Sequence, residues 1–134
     1  LRHASRAYIF SAAIPPAQAA AANEAFKVIL DEPWRIEKLR ANAERFLTGL
    51  KGAGFDTLYS TTAIVPVLCG SDERAFALTR QCQHHDLFVL PVVSPAVPEG
   101  LARLRATVLA AHEPEEIDYA LEVIEKAGKE IGII

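Results

Sequence analysis

The chain has 134 residues, 51% of them apolar and 23% charged, with a formal net charge of −3. That length supports one hydrophobic core, and the charge balance argues against nucleic acid or an anionic membrane as a partner. No apolar run approaches the roughly 20 residues that span a bilayer and no secretory signal is visible; Cys69 and Cys82, with no CxxC spacing, read as buried free thiols of a cytoplasmic protein.

In chain order, residues 1–13 mix basic and apolar types and read as an extended lead-in. Pro15-Pro16 sits where a helix can begin, and the alanine-rich stretch from Ala17 to Leu30 is strongly helix-forming. Asp31-Glu-Pro33 restarts a helix. Ile36, Leu39, Ala43, Phe46, Leu47 and Leu50 recur at three and four residues along it, and Gly52 and Gly54 close it. Ala63–Cys69 is a strand in which Pro66 marks an edge or an irregular rung. Ser71 and Asp72 offer caps for a helix over 72–84 that buries Phe76, Thr79 and Cys82. Leu87–Val93 is a second strand, and a stiff proline loop follows. Leu104, Ala106 and Val108 then alternate with Arg103, Arg105 and Thr107, the period of a half-buried strand. A last helix opens at His112-Glu-Pro114, carries the stripe Ile117, Ala120, Leu121 and Ile124, and ends at Gly128. Three short strands with helices on one face make a two-layer α+β domain.

Few residues offer chemistry. Arg103 and Arg105 share one face of a strand. They can grip a carboxylate or phosphate through paired hydrogen bonds, or simply pair with surface glutamates. His84-His85-Asp86 lacks a third spaced ligand for a metal, and neighbours on a helix diverge by about 100°. Histidines at a helix C-terminus complement the dipole, and His112 reads as a cap or a satisfied structural histidine. No nucleophile elbow, phosphate loop or GxGxxG is present.

Three stretches carry a family resemblance: Phe10-Ser-Ala-Ala-Ile-Pro-Pro16; Leu50-Lys-Gly-Ala-Gly-Phe-Asp56 leading to Ile64-Val-Pro66; and Pro95-Ala-Val-Pro-Glu-Gly-Leu-Ala-Arg-Leu-Arg105 running on to Ala110-Ala-His112. Through them essentially the whole chain resembles the C-terminal domain of the α-oxoamine synthases, pyridoxal-phosphate (PLP) enzymes of the aspartate-aminotransferase fold. The resemblance implies a lead-in segment over residues 1–16 from a PLP-binding large domain, and a small α+β domain over 17–134. It implies condensation of a small amino acid with an acyl-CoA or other acyl-thioester, with loss of CO2, in a cytoplasmic homodimer.

In that family the second arginine of Arg-Leu-Arg holds the substrate carboxylate, which falls on Arg105, and Arg103 is structural. A hydroxyl two or three places after the aromatic reaches the PLP phosphate of the partner subunit. Ala12 and Ala13 carry none, so that contact falls to Ser11. The Schiff-base lysine lies upstream of Leu1, and Lys27, Lys38, Lys51, Lys126 and Lys129 lack its motif. With no methionine at position 1, the chain is expected to be a piece of a longer protein, inactive alone. Two other readings remain: the C-terminal domain of an ordinary PLP aminotransferase, and a non-catalytic α+β binding domain.

Overall fold

The computed structural model describes residues 4–6 and 14–134. Of the lead-in over 1–13 only Ala4–Arg6 are therefore visible, and they are not strand; Ser11 lies outside the described residues. Contacts divide the chain into two compact units, residues 1–34 and 35–134. The first contains helix α1 (Pro16–Asp31), which begins with proline at its first position and buries none of its residues.

The second unit holds the core. Helix α2 (Trp34–Ala53) buries Asn42, Phe46 and Leu50. It ends in a left-handed Gly54, φ 100°, whose N–H bonds Lys51 O at 3.1 Å while Phe55 N–H bonds Leu50 O at 3.0 Å. This paired arrangement satisfies the last carbonyls of the helix and turns the chain sharply back.

Strands β1 (Ile64–Gly70), β2 (Leu90–Val92) and β3 (Ala102–Thr107) form an antiparallel sheet in the order β1-β3-β2. β1 is thus an edge strand, as Pro66 indicated. Val108 N–H bonds Ala63 O at 2.9 Å. Ladder pairs alternate, so the Pro66–Arg105 pair is one that exchanges no hydrogen bonds, and the missing proline donor faces outward. The neighbouring outward groups of β1 are occupied locally: Leu68 N–H by Asp56 O, Ile64 N–H by the Thr62 hydroxyl, and Ile64 O by Ser60 Oγ.

Helix α3 (Asp72–His84) starts at Ser71, whose hydroxyl accepts from Arg74 N–H. It packs on all three strands and carries α4 (Pro114–Ile131) against its flank. The helices therefore cover one face of the sheet, around a core that includes Val65, Val67, Leu78, Cys82, Leu104 and Ile124.

Three expectations are corrected. Phe76 is 49% exposed, because the buried stripe of α3 runs through Ala75, Leu78, Thr79 and Cys82, one residue out of phase with it. The second strand covers only 90–92 rather than 87–93, since β3 offers it partners only at Arg103–Arg105. Gly128 lies inside α4 rather than ending it; the left-handed Gly132 is the cap. A Cβ on Gly128 would run into the buried Phe55 ring, so this glycine serves close packing.

Candidate substrate-binding site

The site is built on β3. Leu104 and Ala106 are buried beneath the sheet, which places Arg103 and Arg105 on its uncovered face. The chain enters β3 from the proline loop through a tight turn, in which Leu101 N–H bonds Pro98 O at 3.1 Å and Gly100 takes φ 81°. A positive φ at the third position of a turn is a glycine's conformation. Upstream, the Asp72 carboxylate accepts Ser94 N–H at 3.4 Å and ties the loop to the start of α3.

The two arginines differ in their commitments. Arg103 Nε donates to Leu101 O at 2.9 Å, which spends part of its fork on its own strand. Arg105 stands between Pro66 on β1 and Leu90 on β2, neither of which has a polar side chain to offer. Among the described residues its guanidinium has no hydrogen-bond or ion-pair partner. Some other cations are engaged, Lys38 with Glu113 at 2.6 Å and Arg45 with both oxygens of Asp118 at 2.7 and 2.6 Å. Arg105 is set apart by its place on the central strand rather than by lacking a partner. An exposed guanidinium with no partner among the described residues, on a central strand flanked by β1 and β2, is a ready anion-binding fork.

A cavity of about 720 Å³ lies beside this strand. Its lining includes Arg105, but also Phe46, Val108, Ile117 and Ile124, which belong to the core. It therefore opens on the helical side of the sheet, away from the direction in which alternation sends the Arg105 side chain.

The remaining candidates resolve as structural. His112 Nδ1 accepts Leu109 N–H at 3.2 Å, a satisfied histidine. His84 ends α3 and His85 caps it, with His85 O accepting the Tyr119 hydroxyl at 3.0 Å. No group of three metal-ligating side chains exists among the described residues. Burial pushes the Cys69 thiol up to about 11; burial and then the Cys69 neighbour do the same to Cys82, and both cysteines are free. Lys27 and Lys129 are tied to Glu24 and Glu125 on their own helices. No helix among the described residues is long and apolar enough to cross a membrane.

Sequence reasoning missed Asn42. It is 5% exposed, and its carboxamide donates to Leu109 O at 3.0 Å and His112 O at 2.8 Å. The available signal was a polar residue placed on the apolar face of a helix, four residues before Phe46.

Residues 1–124 match the class I and II aminotransferase family. The chain is 44% identical over its whole length to a putative 8-amino-7-oxononanoate synthase of Geobacillus kaustophilus, covering 34% of it. It is 42% identical over 97% of its length to an 8-amino-7-oxononanoate synthase/2-amino-3-ketobutyrate coenzyme A ligase of Thermus thermophilus, covering 33% of that protein. Among solved structures, 99% of the chain superposes on serine palmitoyltransferase from S. paucimobilis with bound PLP and myriocin, with a TM-score of 0.83 and 33% identity, covering 34% of that chain. The chain thus spans about a third of the length of the curated relatives it matches.

Proposed function

The chain belongs to the class I and II aminotransferase family and falls among its α-oxoamine synthases, and from that premise we propose that it is the C-terminal part of a PLP-dependent acyltransferase. The whole enzyme condenses a small amino acid with an acyl-CoA or related acyl-thioester, releasing CO2 and giving an α-oxoamine. Residues 1–16 lead in from a large PLP-binding domain and residues 17–134 form the small domain. The enzyme is a cytoplasmic homodimer in which Ser11 reaches the PLP phosphate of the partner subunit.

The observation that carries this reading is the guanidinium of Arg105 on the open face of β3, without a partner among the described residues. Two parallel hydrogen bonds hold the amino-acid carboxylate and fix its plane, so Cα is presented in one orientation. No lysine among the described residues is offered for PLP by the fold: Lys27, Lys38 and Lys129 are bound to carboxylates, and Lys51 and Lys126 lie in the last turn of α2 and within α4. The group is held by the rest of the enzyme, where it supplies stabilisation of the Cα carbanion. The 134-residue chain alone has no activity.

Replacing Arg105 with alanine in the full-length enzyme removes two charge-assisted hydrogen bonds and raises the amino-acid KM by on the order of 10²-fold. An unchanged KM refutes the assignment. An ordinary aminotransferase would use Arg105 in the same way, and acyl-CoA-dependent release of free CoA separates the two activities.

A further inference from the structure

We propose that Asn42 is a positioning residue for Arg105, acting through the turn that ends β3; this inference rests on the carboxylate-binding reading of Arg105. β3 is paired with β1 along its whole length, but with β2 only over Arg103–Arg105. Arg105 is therefore the last residue of β3 flanked by a strand on both sides. Beyond it β3 has only β1 beside it, through Thr107 and the Val108–Ala63 bond, together with whatever fastens its C-terminal end.

That fastening is the turn 109–112, closed by its own His112 N–H to Leu109 O bond and tied to α2 by Asn42. Both hydrogens of the carboxamide are used, one on Leu109 O and one on His112 O, while His112 Nδ1 takes Leu109 N–H. With the backbone bond from His112 N–H to Leu109 O at 3.3 Å, four hydrogen bonds hold these four residues, and the Asn42 side chain that supplies two of them is buried. Asn42 is not alone on its face. Lys38 and Arg45, four residues before and three after it, reach Glu113 and Asp118 across the same seam. One stripe of α2 therefore splints the segment running from the end of β3 into the first turn of α4. Ion pairs on either flank are exposed and contribute modestly, so the buried carboxamide sets the register.

The test uses the full-length, cofactor-loaded enzyme and compares Asn42→Leu, Arg105→Ala and the double variant. Read-outs are kcat, KM, and the amino-acid Kd by calorimetry. Asn42→Leu keeps the side-chain shape but donates nothing. It is expected to weaken amino-acid binding roughly tenfold, as a displaced fork loses alignment with its carboxylate, while kcat stays within about twofold. In the Arg105→Ala background the same change is expected to weaken binding by less than about twofold, because the group it positions is gone. A Kd unmoved by Asn42→Leu overturns the proposal, and so does an effect that persists undiminished without Arg105. If Asn42→Leu does not fold, Asn42→Ser retains one donor and is expected to shift Kd in the same direction by a smaller factor; no shift overturns the proposal equally. Should Arg105→Ala itself leave Kd unchanged, the carboxylate-binding reading falls and Asn42 with it. If Arg105→Ala weakens binding and Asn42→Leu does not, only the present inference fails.

Discussion

Gly128 and Gly49 both lie inside helices, so alanine at either position gains about 1 kcal/mol of helix propensity. Their neighbours decide the outcome. At Gly128 a Cβ would lie 2.8 Å from Phe55 Cε1, closer still to Cζ, and 3.5 Å from Ile134 Cγ1. Phe55 is 4% exposed and its backbone N–H is fastened to Leu50 O, so the ring has nowhere to retreat. Overpacking a close-packed site costs about 1–3 kcal/mol, a ring that cannot move aside puts this site in the upper half of that range, and after the helix-propensity gain the net effect of Gly128→Ala is a loss of roughly 1–2 kcal/mol. At Gly49 the Cβ meets only the Leu121 side chain, closest to Cδ1, with Cδ2 at 2.8 Å and Cγ at 3.1 Å, and this half-buried side chain can rotate aside. Gly49→Ala is therefore neutral, or stabilising by up to about 1 kcal/mol. Urea unfolding followed by circular dichroism separates the two. With a slope of about 2 kcal/mol/M, Gly128→Ala lowers the midpoint by roughly 0.5–1 M, while Gly49→Ala leaves it unchanged or raises it. A Gly128→Ala variant at least as stable as the parent would refute the packing argument.

Two further predictions concern titrating groups. The hydrogen bonds and charge of Arg45 hold the Asp118 carboxyl below its ordinary value of 3.8. A depressed carboxyl stabilises the fold above that value and ceases to do so as pH falls through the lowered one, so Asp118→Asn flattens the acid limb of the stability–pH curve below about pH 4. An acid limb identical in the two proteins contradicts the pairing. With both thiols at about 11 and buried, a disulfide reagent at pH 8 is expected to find no fast-reacting cysteine in the native protein and two after denaturation. Fast native labelling of either one would show that the β1–α3 seam opens.

The helices were legible because period and punctuation agree. Pro15-Pro16, the 36/39/43/46/50 stripe and Ser71 each state a boundary or a face within a few residues. β3 was legible for the same reason, and Arg105 with it: strict alternation fixes which side chains share a face. What failed depended on partners distant in sequence. Nothing in Leu87–Val93 says that pairing stops at three residues, because β3 sets that limit. Gly128 looks like a terminator until Phe55, more than 70 residues earlier, is placed over it. Asn42 stands on the apolar face of its helix with no stated reason until Leu109 and His112 bring their carbonyls to it. The difference between the two arginines is likewise invisible in Arg-Leu-Arg, since it arises from the turn before β3, which brings Leu101 O to Arg103 and not to Arg105.

The outer margin of β1 has a bearing on how the molecule behaves in company. An incoming strand needs a row of free donors and acceptors, and here that row is interrupted at every outward position from Ile64 to Leu68. Thr62 and Ser60 occupy the first rung, Pro66 has nothing to donate at the second, and Asp56 has already taken the third. The molecule thus carries its own stopper against runaway strand-to-strand polymerisation on that flank, assembled from a proline and its preceding loop rather than from charge.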